Sequence, residues 1–232
     1  MRYVELVGPP GVGKSTVAKT ICSSPEFSYV RSDFGNRLVC IGDYDGTYES
    51  KKVPSGNSYK ICNKIKLISF LTKNDCFTKL VEKGLTECRD NDYMFASILS
   101  SGAAYEIYSN KVNKGREVIF DQLFVTNILS VLWRMGKYSD SVIEYLVRAM
   151  PVPDLVIYIS ASPSVCVGRQ KSRGRVQTSK YNWCSNIVDE QILYNGICDK
   201  MVNDLRKITS VKEVSNEGDL CNTKDKIKHI IQ

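Results

Sequence analysis

One short turn constrains this chain more than anything else in it. Gly8-Pro9-Pro10-Gly11-Val12-Gly13-Lys14-Ser15 matches G-x-x-x-x-G-K-[ST] at every position. Tyr3 to Val7, just before it, is a short run that reads as a buried strand. Lys14 to Ser23, just after it, places Val17, Ala18 and Ile21 on one face and reads as a helix. A strand, a glycine turn and a helix in this order aim main-chain N–H groups at an anion. The positive end of the helix dipole adds to the attraction. Gly8, Gly11, Val12 and Gly13 form the cradle, Lys14 is expected to reach the β- and γ-phosphates, and Ser15 to hold Mg²⁺ through its hydroxyl. Thr16 continues the helix start. The cofactors expected are therefore ATP and Mg²⁺.

The remaining pattern alternates strands with helices. Phe27 to Ser32 and Leu38 to Ile41 are β-prone runs around Phe34-Gly35-Asn36, a hairpin pattern. Gly42 to Ser58 is polar and rich in turn residues, a long loop. Helical periodicity then runs from about Lys60 to Lys114, with breaks near Asn74 and Asp90. Glu117 to Asp121 and Leu155 to Ile159 are buried strands, and Val211 to Val214 is the last one. Helices are expected over Leu123 to Met135, Ser139 to Met150, Ser162-Pro163 through Lys171, Asn182 to Ile208 with breaks, and Lys224 to Ile231. Such alternation implies a parallel sheet covered on both faces. No repeat or linker divides the 232 residues, so one domain is expected.

Composition narrows the function class. The nine cysteines are scattered without a C-x-x-C pair, and His229 is the sole histidine, which argues against a zinc site and for reduced, mostly buried thiols. No apolar run approaches the roughly 20 residues that cross a bilayer. Met1 to Val7 runs straight into the glycine turn and leaves no room for a signal peptide, so the expected location is cytoplasmic, with no membrane partner. A net charge of +7 favours anionic partners, nucleic acid among them.

Two further segments suit phosphate chemistry. Asp121 ends a strand, where ligands of open α/β sheets bind, and is a candidate for a Mg²⁺ water; the alternative is a helix cap. Arg169, Arg173 and Arg175 follow the strand Leu155 to Ile159. Arg169 and Arg173 lie four apart, and guanidinium groups stabilise a phosphoryl group in flight. On the acceptor side, Asp33, Asp43 and Asp45 are candidates for a general base, Asp43 foremost, with turn chemistry as the alternative. Tyr44, Phe95, Tyr105, Tyr108 and Trp133 are candidate stacking surfaces for a base, although aromatic residues at helical spacing usually belong to the core. Arg89 and Arg134 are candidate grips for an anionic acceptor.

The order of Gly8 to Thr16, Val118-Ile119-Phe120-Asp121, and Pro153 to Ile159 leading to Arg169-x-x-x-Arg173-Gly-Arg175 resembles the P-loop nucleoside and nucleotide kinases, thymidylate kinase and the deoxynucleoside kinases especially. The resemblance implies a P-loop NTPase three-layer α/β sandwich: a parallel sheet, helices on both faces, and an arginine-bearing lid over about 163–181. It implies an acceptor-binding insertion over about 43–114. It also implies an ATP-dependent phosphotransferase with Lys14, Asp43, Asp121, Arg169 and Arg173 as catalytic residues, Ser15 and Asp121 at the metal, and Arg175 beside the nucleotide. The chain departs from thymidylate kinase at Gln122, where that family carries an acceptor-binding Arg. Other readings stay open: a kinase acting on a hydroxymethylated base in DNA, as in the phage DNA-modification kinases, or an ATPase or switch with no acceptor. A homodimer is a further open expectation.

Overall fold

The computed structural model describes residues 3–21, 27–33, 37–41, 68–79, 99, 101–102, 105–106, 117–135, 139–174, 176, 186–218 and 220–231. Six strands form one sheet: β1 (Tyr3–Val7), β2 (Phe27–Asp33), β3 (Arg37–Ile41), β4 (Glu117–Gln122), β5 (Leu155–Ser160) and β6 (Ser210–Ser215). Their order is β3-β2-β4-β1-β5-β6. Every neighbouring pair is parallel except β2 with β3, which closes the expected hairpin as an antiparallel edge. A turn as short as the one between Asp33 and Arg37 can only reverse the chain.

The helices are α1 (Lys14–Ile21), α2 (Phe124–Met135), α3 (Asp140–Ala149), α4 (Pro163–Ser172), α5 (Ile187–Leu205) and α6 (Leu220–Ile231). Further helical turns at 68–73 and 75–79 are separated at Asn74, whose side chain bonds back to Phe70 O at 2.7 Å. The expected break near Asn74 therefore has a local cause. By contrast, α5 runs unbroken from Ile187 to Leu205, through Gly196, within the span 182–208 that was expected to be helical with breaks. Tertiary packing of Tyr194, Ile197, Cys198 and Met201 outweighs one unfavourable glycine, worth about 1 kcal/mol.

β1 divides the core between the two sheet faces. Tyr3 and Val7 pack into a cluster with Phe70, Phe77, Phe120, Phe124, Trp133 and the buried faces of α2, α3 and α5. Val4 and Leu6 pack on the other side with Val17, Ala18 and Ile21 of α1 and Ile227 and Ile231 of α6. Alternate residues of a strand point to opposite faces, so a strand buried on both sides must be apolar nearly throughout. Glu5 is the exception, fully buried on the aromatic side.

The chain leaves β1 toward β2 and leaves β4 toward β5, crossing in opposite directions. The carboxyl ends of β1 and β4 therefore flank a crevice, the usual ligand position in such sheets. No helix among the described residues is long and apolar enough to cross a membrane. Cys166 and Cys198 are buried free thiols, while Cys76 is exposed and free.

Candidate active site

The glycine turn leaves β1 and enters α1 at the mouth of that crevice. Gly11 and Gly13 take φ of 83° and 101°, angles that side chains rarely adopt. Space forbids a side chain there as well. A Cβ on Gly11 would stand 2.3 Å from Cys166 O, and one on Gly13 would stand 2.7 Å from Asn216 Nδ2. The loop is thus shaped by what packs behind it.

Lys14 Nζ donates to Gly8 O at 2.5 Å and Pro9 O at 3.1 Å, which folds the ammonium over the loop. Ser15 Oγ donates to Asp121 Oδ2 at 2.5 Å, joining the first turn of α1 to the end of β4. Asp121 is fully buried. It ends its strand beside β1 as expected, and its contact is with the loop's serine. Ser15 and Asp121 supply a hydroxyl and a carboxylate oxygen side by side, the hard donors that Mg²⁺ prefers. Among the described residues no cluster of three metal-ligating side chains exists. Mg²⁺ itself commonly takes one or two protein oxygens and completes its shell from phosphates and water. Ser15 and Asp121 therefore fit Mg²⁺.

Glu5 holds this end of β4 in place. Its carboxylate accepts from Leu123 N at 3.2 Å, Thr126 N at 3.1 Å and Tyr3 Oη at 2.6 Å. Two otherwise unpaired amides at the start of α2 are satisfied by an acid reaching across from the neighbouring strand. Burial raises the Glu5 carboxyl above the ordinary carboxylate range, while these hydrogen bonds pull it back. The turn from Asp121 into α2 is pinned by this contact.

Behind the loop stand residues that the motif pattern missed. Asn216, buried just after β6, donates from Nδ2 to Val12 O at 2.7 Å and accepts at Oδ1 from Thr223 Oγ1 at 3.1 Å. Arg169, on α4, donates from Nη1 to Val12 O at 3.3 Å and to Asn216 O at 2.9 Å. Gln170 Nε2 donates to Pro10 O at 3.3 Å and to Gln191 Oε1 at 2.8 Å. Glu217 takes Ser162 N at 2.6 Å and Ser162 Oγ at 2.9 Å. Ser162 occupies the expected N-cap position, but its hydroxyl turns to Glu217 and makes no capping bond within the helix. Cys166, on the same helix, has its thiol pushed up to about 11 by burial despite the nearby charges of Lys14 and Arg169, so it stays protonated at neutral pH.

Of the arginine segment, Arg169 lies against main-chain carbonyls of the loop, and Arg173 is exposed at the C-cap of α4. Arg175 and Asp43 lie outside the described residues, as do Asp45, Tyr44, Phe95, Tyr108 and Arg89. Asp33 ends β2, two residues beyond Arg31, which pairs in register with Gln122 of β4. Tyr105 and Trp133 belong to the core. Tyr105 packs edge-on against Tyr3 and Phe70, and Trp133 against Tyr194.

A family model described as an AAA domain matches residues 4–192. The chain belongs to that family. No curated protein matches the AAA domain's sequence here. Among solved structures, the deoxyadenosine kinase from M. mycoides with the products dCMP and a flexible dCDP bound superposes with a TM-score of 0.54 at 14% identity, covering 100% of this chain and 98% of that one. The same enzyme with dATP bound gives 0.53 at 15% identity, covering 99% and 98%. With dCTP bound it gives 0.53 at 14%, covering 100% and 98%. The chain therefore shares the P-loop α/β fold of the deoxyadenosine kinase structures, as the order of motifs implied.

Proposed function

We propose that the chain is an ATP-dependent kinase that moves the γ-phosphate of ATP onto a nucleoside, a nucleotide or a related small acceptor. The observation that carries the proposal is the pairing of Ser15 with Asp121 at the mouth of a glycine loop whose lysine folds over it. Phosphoryl transfer asks the protein mainly for positioning and for charge to meet the transferred group. The loop amides would bind the polyphosphate, and Lys14 would follow the β- and γ-oxygens. Ser15 and Asp121 would hold Mg²⁺, which when bound neutralises charge across those oxygens. Arg173 and Arg175 would come over the nucleotide from the end of α4, within the lid expected over about 163–181.

The general base would come from the acceptor side. Asp33 and Asp43 are the candidates, and Asp33 ends the strand beside β4, at the same sheet edge as Asp121. The nucleosides and nucleotides in the similar structures are deoxynucleotides, which supports an acceptor of that class. A screen with γ-labelled ATP tests the proposal. Deoxynucleosides and their monophosphates are expected to take label, with Lys14→Ala abolishing it. The net charge of +7 justifies parallel arms with plain and hydroxymethylated DNA. Label only in the hydroxymethylated arm would move the acceptor into DNA. Hydrolysis unchanged by any acceptor would leave an ATPase instead of a kinase.

A further inference from the structure

The two residues after β6 grip both the phosphate loop and the helix that leads to the arginines. Asn216 is 2% exposed and reaches Val12 O with its amide NH₂. Its own main-chain N donates to Ser160 O at 2.8 Å, tying it to the end of β5. Its main-chain O receives Arg169, whose guanidinium also reaches Val12 O. Glu217 holds the first residue of the turn into α4 through Ser162 N and Oγ.

Val12 O thus accepts from two side chains, Asn216 after β6 and Arg169 on α4. A peptide plane carries its C=O and N–H in opposite directions. Fixing the Val12 carbonyl backwards fixes the Gly13 N–H forwards, toward the mouth. Gly13 itself, at φ 101°, has no conformational bias of its own to hold that plane. Loss of a donor loosens that plane, and a flip would present an oxygen to a phosphate in place of a hydrogen.

We infer that Asn216 is a positioning residue for nucleotide binding: with Arg169 it locks the Val12–Gly13 peptide with its N–H facing the polyphosphate. This rests on the phosphate-loop reading and deepens it. Asn216 touches no nucleotide in this account; it acts through the loop.

The test compares the wild-type chain with Asn216→Asp and Asn216→Ala, measuring MgATP binding by calorimetry at a temperature where near-UV circular dichroism shows each protein folded. Asn216→Asp keeps the shape and the acceptor for Thr223, removes the donor to Val12 and adds a negative charge, whereas Asn216→Ala removes the donor without adding charge, so a loss of affinity supports the inference only where both variants show it. Both variants are expected to raise the ATP Kd at least about tenfold, the scale of one lost buried hydrogen bond of about 1.5 kcal/mol. Turnover at saturating ATP is expected to stay within about threefold, so the loss appears in KM and not in kcat. Thr223→Val, which cuts only the far end of the chain of hydrogen bonds, is expected to keep the wild-type Kd within about threefold. A purely structural Asn216 would lower the melting temperature and leave the Kd of the folded protein unchanged, and that result in Asn216→Asp overturns the inference. If Asn216→Ala does not fold, Asn216→Leu, uncharged and of similar volume, takes its place. Failure of the underlying reading looks different: wild type itself would bind no ATP, or Lys14→Ala would bind and react as well as wild type.

Discussion

The two sides of the phosphate loop are built on opposite principles. The side that carries Lys14, Ser15 and Asp121 is made of charged and hydroxyl groups whose identity the chemistry of a polyphosphate dictates. The side toward α4 and the β6 end is made of amides and one guanidinium, Asn216, Gln170 and Arg169, that meet the loop through its main-chain carbonyls. In the proposed reaction the first side acts on the phosphates and the second keeps the loop's shape. Substitutions should separate them: the first set should cost turnover at little cost in stability, and the second should cost affinity through the loop's shape.

The largest effect is expected for Lys14→Ala. Removing one preorganised cation at the transferred phosphoryl group should lower kcat by about 10²–10³-fold, with the melting temperature nearly unchanged. A steady-state assay alongside thermal unfolding checks it. Retention of more than a tenth of the wild-type kcat would erase the distinction between the two sides. Next comes Asp121→Asn, expected to weaken Mg²⁺ by about 10–100-fold. The Mg²⁺ concentration giving half-maximal activity would report it, and an unshifted midpoint would move Asp121 to a purely structural role.

A smaller effect sharpens the comparison from below. Glu5 serves the reacting side without reaching it, by pinning the turn that follows Asp121. Burial raises its carboxyl above the ordinary value of about 4.3. A raised acid binds its proton more tightly in the folded chain. Its contribution to stability is therefore complete below that ordinary value and declines as pH rises through the folded one. Glu5→Gln cannot titrate. Its stability deficit, about 1–3 kcal/mol for disturbed buried partners, should be largest at acid pH and narrow as pH rises. Denaturant melts across pH would show it, and a deficit that widens upward would reverse the sign. The smallest effect is on Cys166, held on the carbonyl side with its thiol near 11. Iodoacetamide at neutral pH should label exposed Cys76 well before Cys166, as peptide mapping would reveal.

This division also explains what was legible in the sequence. Gly8 to Ser15 could be read directly, because phosphate binding fixes both residue types and their spacing. The strand runs of β1, β4 and β5 could be read because double burial makes them apolar. The hairpin of β2 and β3 was visible as two β-prone runs around Phe34-Gly35-Asn36. Strand order could not be read, since it depends on contacts far apart in the chain. Glu5 sat unnoticed inside an apolar run. Asn216, Gln170 and Glu217 have no period or motif; a lone buried amide after a strand looks like any loop residue until its partner's carbonyl is located. Arg169 was singled out for charge and four-residue spacing, and the structure joins it to the loop through carbonyls that no sequence pattern records. The stretch from Asn182 to Ile208 was read as helical with breaks, but packing of Tyr194, Ile197, Cys198 and Met201 carries α5 through Gly196.

The central claim is that the main-chain amides of the loop take the polyphosphate. Amide chemical shifts in ¹⁵N-labelled protein, followed as MgATP is added, measure this most directly. Gly11, Gly13 and Lys14 are expected to show the largest shifts, saturating together, and to shift far less in Lys14→Ala at the same ATP concentration. Saturable ATP binding that leaves those three amides where they were would contradict the account.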